Sequence, residues 1–92
     1  MAHRLKAVVH GHVQGVGFRY WAHHTAQRFG AGGWVRNDSD GTVAIEAESD
    51  DRDKLHALFV ELHKGPAAAQ VTKVDAHWEE IEAPRHLGFR VA

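Results

Sequence analysis

Between Gly11 and Arg19 the chain reads Gly-His-Val-Gln-Gly-Val-Gly-Phe-Arg. The stretch follows a strand-like run and opens a helix-like one. Glycines at 11, 15 and 17 let the backbone bend tightly with no Cβ in the way, so that successive N–H groups can converge on one point. A helix N-terminus adds unpaired amide donors and the positive end of the helix dipole. Arg19 falls in the first turn of that helix. Together these parts make an anion cradle suited to a phosphoryl group. A cation at this end of a helix opposes the dipole, by roughly 0.3–1 kcal/mol where exposed. A residue in a locally unfavourable place suggests a role other than stability.

A second candidate is Asn37, at the end of the run Trp34-Val-Arg-Asn37 and just before Asp38-Ser-Asp-Gly41. An amide holds a donor and an acceptor in fixed geometry and can orient a water molecule. If its strand lies beside the strand that precedes the cradle, the two features meet. Taken alone, Asn37 is better read as a former of the turn that follows it. Arg36 is expected to point to the opposite sheet face by strand alternation.

Charge is distributed unevenly. The formal net charge is −1, yet no Asp or Glu occurs in the first 37 residues, which carry Arg4, Lys6, Arg19, Arg28 and Arg36. That segment is +5 and the remainder −6, an asymmetry that favours an anionic ligand for the front of the chain. The absence of cysteine removes disulfides, thiolate nucleophiles and cysteine-ligated metals from consideration. Nine histidines are present, but none forms a metal-binding pattern such as HExxH, and surface histidine is the better reading. No apolar run approaches the 18 or so residues of a membrane span, and no signal-peptide core is apparent. With 92 residues the expectation is one domain over residues 1–92, in the cytoplasm.

The elements that must hold these residues follow from periodicity. Leu5 to Val13 reads as a strand, with Leu5, Ala7, Val9, Gly11 and Val13 on one face. Phe18, Ala22, Thr25, Ala26 and Phe29 form the stripe of an amphipathic helix, which Gly30-Ala-Gly-Gly33 ends. Trp34 to Asn37 and Thr42 to Glu48 read as strands around a turn, with Val43, Ile45 and Ala47 inward and Glu46 and Glu48 outward. Ser49-Asp50-Asp51 caps a second helix with a stripe of Leu55, Leu58, Phe59 and Leu62. Val71 to Trp78 and Phe89 to Val91 are the last strands. The order β-α-β-β-α-β plus a short terminal strand implies a ferredoxin-like α/β sandwich, two helices on one face of an antiparallel sheet.

On these residues the chain resembles an acylphosphatase. Val9-His-Gly-His-Val-Gln-Gly-Val-Gly-Phe-Arg19 reproduces the first signature of that family; Gly33-Trp-Val-Arg-Asn37 followed by Gly41-Thr-Val43 reproduces the second. The likeness covers nearly the whole chain. One departure is Ser49, where the second signature usually has Gly; it falls after the third strand, near the second helix cap, and puts no catalytic group in doubt. The resemblance implies hydrolysis of carboxyl-phosphate anhydrides to a carboxylate and inorganic phosphate. Arg19 would bind the phosphoryl oxygens with backbone amides of Gln14, Gly15, Val16, Gly17, Phe18 and Arg19, and Asn37 would position the attacking water. No metal or organic cofactor is expected. The partners are the acyl phosphate and phosphate alone, with no nucleic acid and no membrane, and the protein is expected to be a monomer. Val13, Val16 and Phe18 read as packing supports, and Gln14 contributes its backbone, its side chain being unassigned.

The rival reading is a non-catalytic module of the same fold that binds nucleic acid or another anion. Gly15-Val-Gly-Phe-Arg-Tyr20 does not fit the aromatic pattern of RNA-binding versions, and a pI near 6.7 is low for such a binder. Acylphosphatase-like domains also occur within larger carbamoyl-phosphate-using proteins; the length of this chain favours the independent enzyme.

Overall fold

The computed structural model describes all residues from Met1 to Ala92. Its elements are β1 (Ala2–His12), α1 (Phe18–Arg28), β2 (Gly32–Asn37), β3 (Val43–Ser49), α2 (Arg52–Leu62), β4 (Gln70–Ile81) and β5 (Phe89–Val91). They build one sheet in the order β4-β1-β3-β2-β5, with both helices packed on one face. The expected element order is present, and several strands run past their predicted ends. β1 starts at Ala2 and β4 continues to Ile81 because the two pair from Ala2↔Ile81 to His12↔Gln70. Ladder hydrogen bonding thus extends strands beyond the residues that show apolar alternation. β2 likewise begins at Gly32, two residues before the predicted Trp34.

The core is formed by the apolar stripes. Leu5, Ala7 and Val9 of β1, Val43, Ile45 and Ala47 of β3, and Val35 of β2 face Phe18, Ala22 and Ala26 of α1 and Leu55, Leu58 and Leu62 of α2. Phe29 and Phe59 pack at its rim. Gly11 leaves the predicted face, because the β1–β4 register shifts between His10 and Gly11 and carries it out to solvent. Asp51 caps α2, its Oδ1 accepting from the N–H groups of Asp53 at 2.9 Å and Lys54 at 3.2 Å. Ser49 closes β3, where its Oγ accepts from the Asp51 N–H at 3.0 Å. The residue that departs from the family signature therefore belongs to the turn into α2.

Three expectations need correction. The sheet is mixed, not antiparallel: β5 runs parallel to β2. Both β1 and β2 are antiparallel to β3, and β4 is antiparallel to β1. A strand that reverses after β4 therefore shares the direction of β2. Second, β1 and β2 are not neighbours, since β3 lies between them. Third, Glu48 points to the outer sheet face as expected but is buried, with its side chain fully covered. Arg4 and the segment leading into β5 close over it, as described below.

Candidate active site

Because β1 and β2 are both antiparallel to β3, their carboxy-terminal ends lie at the same end of the sheet. The loop after β1 and the turn after β2 therefore converge without the strands touching. Val43 of β3 is paired with Val9 on one side and Asn37 on the other. At about 4.8 Å per strand, Asn37 stands roughly 10 Å across the sheet from Val9. Asn37 is exposed and shares the helix-bearing face with Val35, two residues before it. Arg36 takes the other face, where its guanidinium lies 4.7 Å from the ring centre of Trp34 and 2.9 Å from Asp38 Oδ1.

The loop between β1 and α1 turns on two glycines. Gly15 has φ +74° and Gly17 φ +78°, left-handed values that residues with a Cβ rarely adopt. Gly17 is the N-cap of α1, with no side chain capping the helix and no acidic residue in its first turn. The first main-chain bond of the helix is donated by Trp21 to Gly17 O at 3.1 Å. The N–H groups from Gln14 to Tyr20 donate to no group of the protein. A run of unspent donors at the positive end of a helix can receive an anion. Val13 and Phe18 are buried beneath this loop and Val16 packs against the same core, so the loop stands on a fixed floor.

Arg19 reaches the same end of the sheet. Its Nη1 donates to Ala92 O at 3.1 Å, and the Ala92 N–H in turn donates to Val35 O at 2.8 Å. The guanidinium is thus tethered next to β2, two residues from Asn37. Other cations of the front segment are already paired with carboxylates: Arg4 with Glu48 and Glu79, Lys6 with Glu79, and Arg36 with Asp38. Arg28 lies over the Phe29 ring. Arg19 has no Asp or Glu partner, its one contact being Ala92 O. Three of the five front-segment cations are therefore neutralised by carboxylates from later in the chain; of the two that are not, Arg28 and Arg19, Arg19 is the one beside the loop.

One contact was not readable from the sequence. The Gln14 side chain, which had no assigned part, donates from Nε2 to Asp38 O at 2.7 Å and Thr42 O at 2.9 Å. It joins the loop to the turn that follows Asn37.

A separate cluster lies on the outer sheet face. Glu48 Oε2 accepts from Arg4 Nε at 2.7 Å, and its Oε1 accepts from the N–H groups of Arg85 at 2.6 Å and His86 at 3.2 Å. His86 Nε2 lies 2.7 Å from Glu46 Oε2. Burial alone would raise the Glu48 carboxyl, but the Arg85 N–H, the Arg4 guanidinium and the His86 N–H outweigh it and hold it below the usual carboxylate range. The bond to Glu48 correspondingly raises Arg4. The ligand atoms of Glu46, Glu48 and His86 lie within 4.8 Å of one another, but both Glu48 oxygens are already committed. The cluster is a structural clamp on the segment before β5.

The architecture is that of the ferredoxin-like α/β sandwiches, with a donor-rich loop and an arginine without an Asp or Glu partner at one end of the sheet. The family model described as Acylphosphatase matches residues 5–91. The acylphosphatase of Salinibacter ruber is 46% identical over 88 residues, covering 96% of this chain and 90% of its own. Among solved structures, the acylphosphatase from Bacillus subtilis superposes with a TM-score of 0.90 at 30% identity, covering 98% of both chains. The acylphosphatase from Coxiella burnetii gives 0.87 at 36% identity, over 99% of this chain and 93% of that one. The chain belongs to the acylphosphatase family and is an enzyme.

Proposed function

We propose that the protein hydrolyses acyl phosphates to a carboxylate and inorganic phosphate at the end of the sheet where the loop 13–17 faces the turn 38–42. The observation that carries this reading is the run of unspent main-chain N–H groups from Gln14 to Tyr20 beside an arginine with no Asp or Glu partner, in a chain of this family. The amides of Gln14, Gly15, Val16, Gly17, Phe18 and Arg19, with the Arg19 guanidinium, hold the phosphoryl oxygens. Arg19 exchanges its single bond to Ala92 O for the parallel charge-assisted bonds that a guanidinium makes to a phosphoryl group. Asn37 orients the attacking water.

The chemistry matches this modest equipment. The leaving group is a carboxylate, a stable anion near neutral pH by analogy with side-chain carboxyls of pKa about 4. It departs without a general acid. A largely dissociative phosphoryl transfer asks little of a base, so positioning and charge stabilisation supply the catalysis. A phosphomonoester, whose alkoxide must be protonated or metal-bound, is a poor substrate for such a site. The reading takes residues 1–92 as one catalytic unit, monomeric, cytoplasmic and without a nucleic-acid partner.

Inorganic phosphate, the product, locates the anion site. It should inhibit benzoyl phosphate hydrolysis competitively, and Arg19→Ala should abolish that inhibition. Undiminished phosphate inhibition in the variant would place the anion elsewhere.

A further inference from the structure

Gln14 belongs to the loop whose main-chain donors are assigned to the phosphoryl group, yet its carboxamide is engaged in the opposite direction. The two acceptors it meets, Asp38 O and Thr42 O, are the two ends of the turn between β2 and β3. That turn is closed internally, by Asp38 N–H to Thr42 O at 2.9 Å and Gly41 N–H to Asp38 O at 3.2 Å. Asp40 Oδ1 locks it further, accepting from the Thr42 N–H at 3.0 Å and the Thr42 hydroxyl at 2.6 Å. Hydrogen bonds from the Thr42 hydroxyl and N–H hold the Asp40 carboxyl low, so it remains an acceptor. Asn37 directly precedes this rigid turn. With β3 between β1 and β2, no ladder bond joins the loop to Asn37, and no hydrogen bond other than those of Gln14 joins residues 13–17 to the turn.

We infer that Gln14 is a positioning residue: its carboxamide sets the placement of the Asn37 amide relative to the phosphoryl cradle. It acts on the attack of water, through Asn37, and not on the grip on phosphate. The inference rests on the roles proposed above for the cradle and Asn37. One NH₂ group offers two donors in one plane, matching the two carbonyls. An ionised glutamate offers none and would face both carbonyl oxygens. Each carbonyl also keeps its main-chain donor when Gln14 is replaced, so no buried acceptor is orphaned and the fold survives the change. Displacements on the order of 1 Å between reacting groups can cost about 10²-fold in rate, which gives a single positioning contact room to matter.

The test uses benzoyl phosphate turnover and the competitive inhibition constant of inorganic phosphate, measured on wild type, Gln14→Met, Asn37→Ala and the double variant. Gln14→Met should lower kcat on the order of 10-fold or more while the phosphate constant stays within about 3-fold of wild type. In the Asn37→Ala background the same change should cost no more than about 2-fold, because a residue that acts through Asn37 has nothing left to position. Gln14→Glu should lose activity near neutral pH and regain part of it on acidification, as a protonated carboxyl again offers a donor. This arm reads out even if Gln14→Met fails to fold. Unchanged kcat in Gln14→Met, a phosphate constant that worsens in step with kcat, or losses that multiply fully with Asn37→Ala would each overturn the inference. Full activity of Asn37→Ala would overturn both this inference and the role of Asn37. A slow Asn37→Ala beside a normal Gln14→Met would remove the inference alone.

Discussion

Arg19 sits where a helix disfavours a cation, and it is spared the Asp and Glu contacts that neutralise Arg4, Lys6 and Arg36. A guanidinium held by a single exposed hydrogen bond, to Ala92 O, is free to be redirected to an incoming anion. Activity and stability should therefore separate at this position. Arg19→Ala is expected to lower turnover by about 10²-fold or more, the loss typical of one preorganised transition-state donor. In urea unfolding it should cost nothing, or gain up to about 1 kcal/mol by relieving the helix dipole. A large loss of stability would make Arg19 a structural residue. Asn37, exposed and with no side-chain hydrogen bond of its own in the structure, should show a comparable loss of turnover on replacement by Ala. A folded, fully active Asn37→Ala would remove its role. The family resemblance pointed to both residues in the sequence. The part of the Gln14 side chain was not legible there, because its acceptors are main-chain carbonyls 24 and 28 positions away and no residue type marks a carbonyl as a partner.

Among the elements, the loop ahead of α1 depends on two left-handed glycines. A Cβ built on Gly15 or Gly17 meets nothing within 4 Å, so substitution strains the backbone without a clash. Gly17→Ala should therefore cost about 1–2 kcal/mol of stability and, by re-aiming the amides on either side, depress turnover more than that destabilisation explains. Normal turnover in a folded Gly17→Ala would mean that the cradle does not need this turn. The helices were the most legible elements, because burial follows Phe18, Ala22, Thr25 and Ala26 on α1 and Leu55, Leu58 and Leu62 on α2 with the helical period. Strand ends were less so. Pairing partners extend β1 and β4 past the apolar alternation, and the shift between His10 and Gly11 turns Gly11 out of a pattern that it fitted on paper. The parallel pairing of β5 with β2 is a consequence of strand directions across the whole sheet, which no local segment encodes.

For the molecule as a whole, the charge asymmetry of the sequence becomes a set of contacts that stitch its two ends together. Glu48 accepts from Arg4 near the start of the chain and from the N–H groups of Arg85 and His86 near its end. That clamp fixes the segment leading to β5, and with it Ala92 and the resting place of Arg19. Sequence alternation placed Glu48 outward correctly but could not show that later residues cover it. Because its carboxyl lies lower in the folded state than in the unfolded chain, its contribution is complete above the ordinary glutamate value of about 4.3 and is lost as pH falls through the lower, folded value. Thermal midpoints should therefore drop on acidification through this range. Glu48→Gln should lower stability at neutral pH by roughly 3 kcal/mol, since it leaves Arg4 without its closest partner, and should flatten the acid dependence. An acid dependence identical to wild type would show that other carboxyls control it.

Under the proposed function, a backbone cradle, one arginine and one asparagine suffice to hydrolyse a substrate whose leaving group needs no help. The direct measurement is hydrolysis of benzoyl phosphate by the purified protein in the presence of excess EDTA, with a phosphomonoester as comparison. Full activity on the acyl phosphate and little on the monoester is the expected result. Activity only after a divalent metal is added, or equal turnover of the monoester, would contradict it.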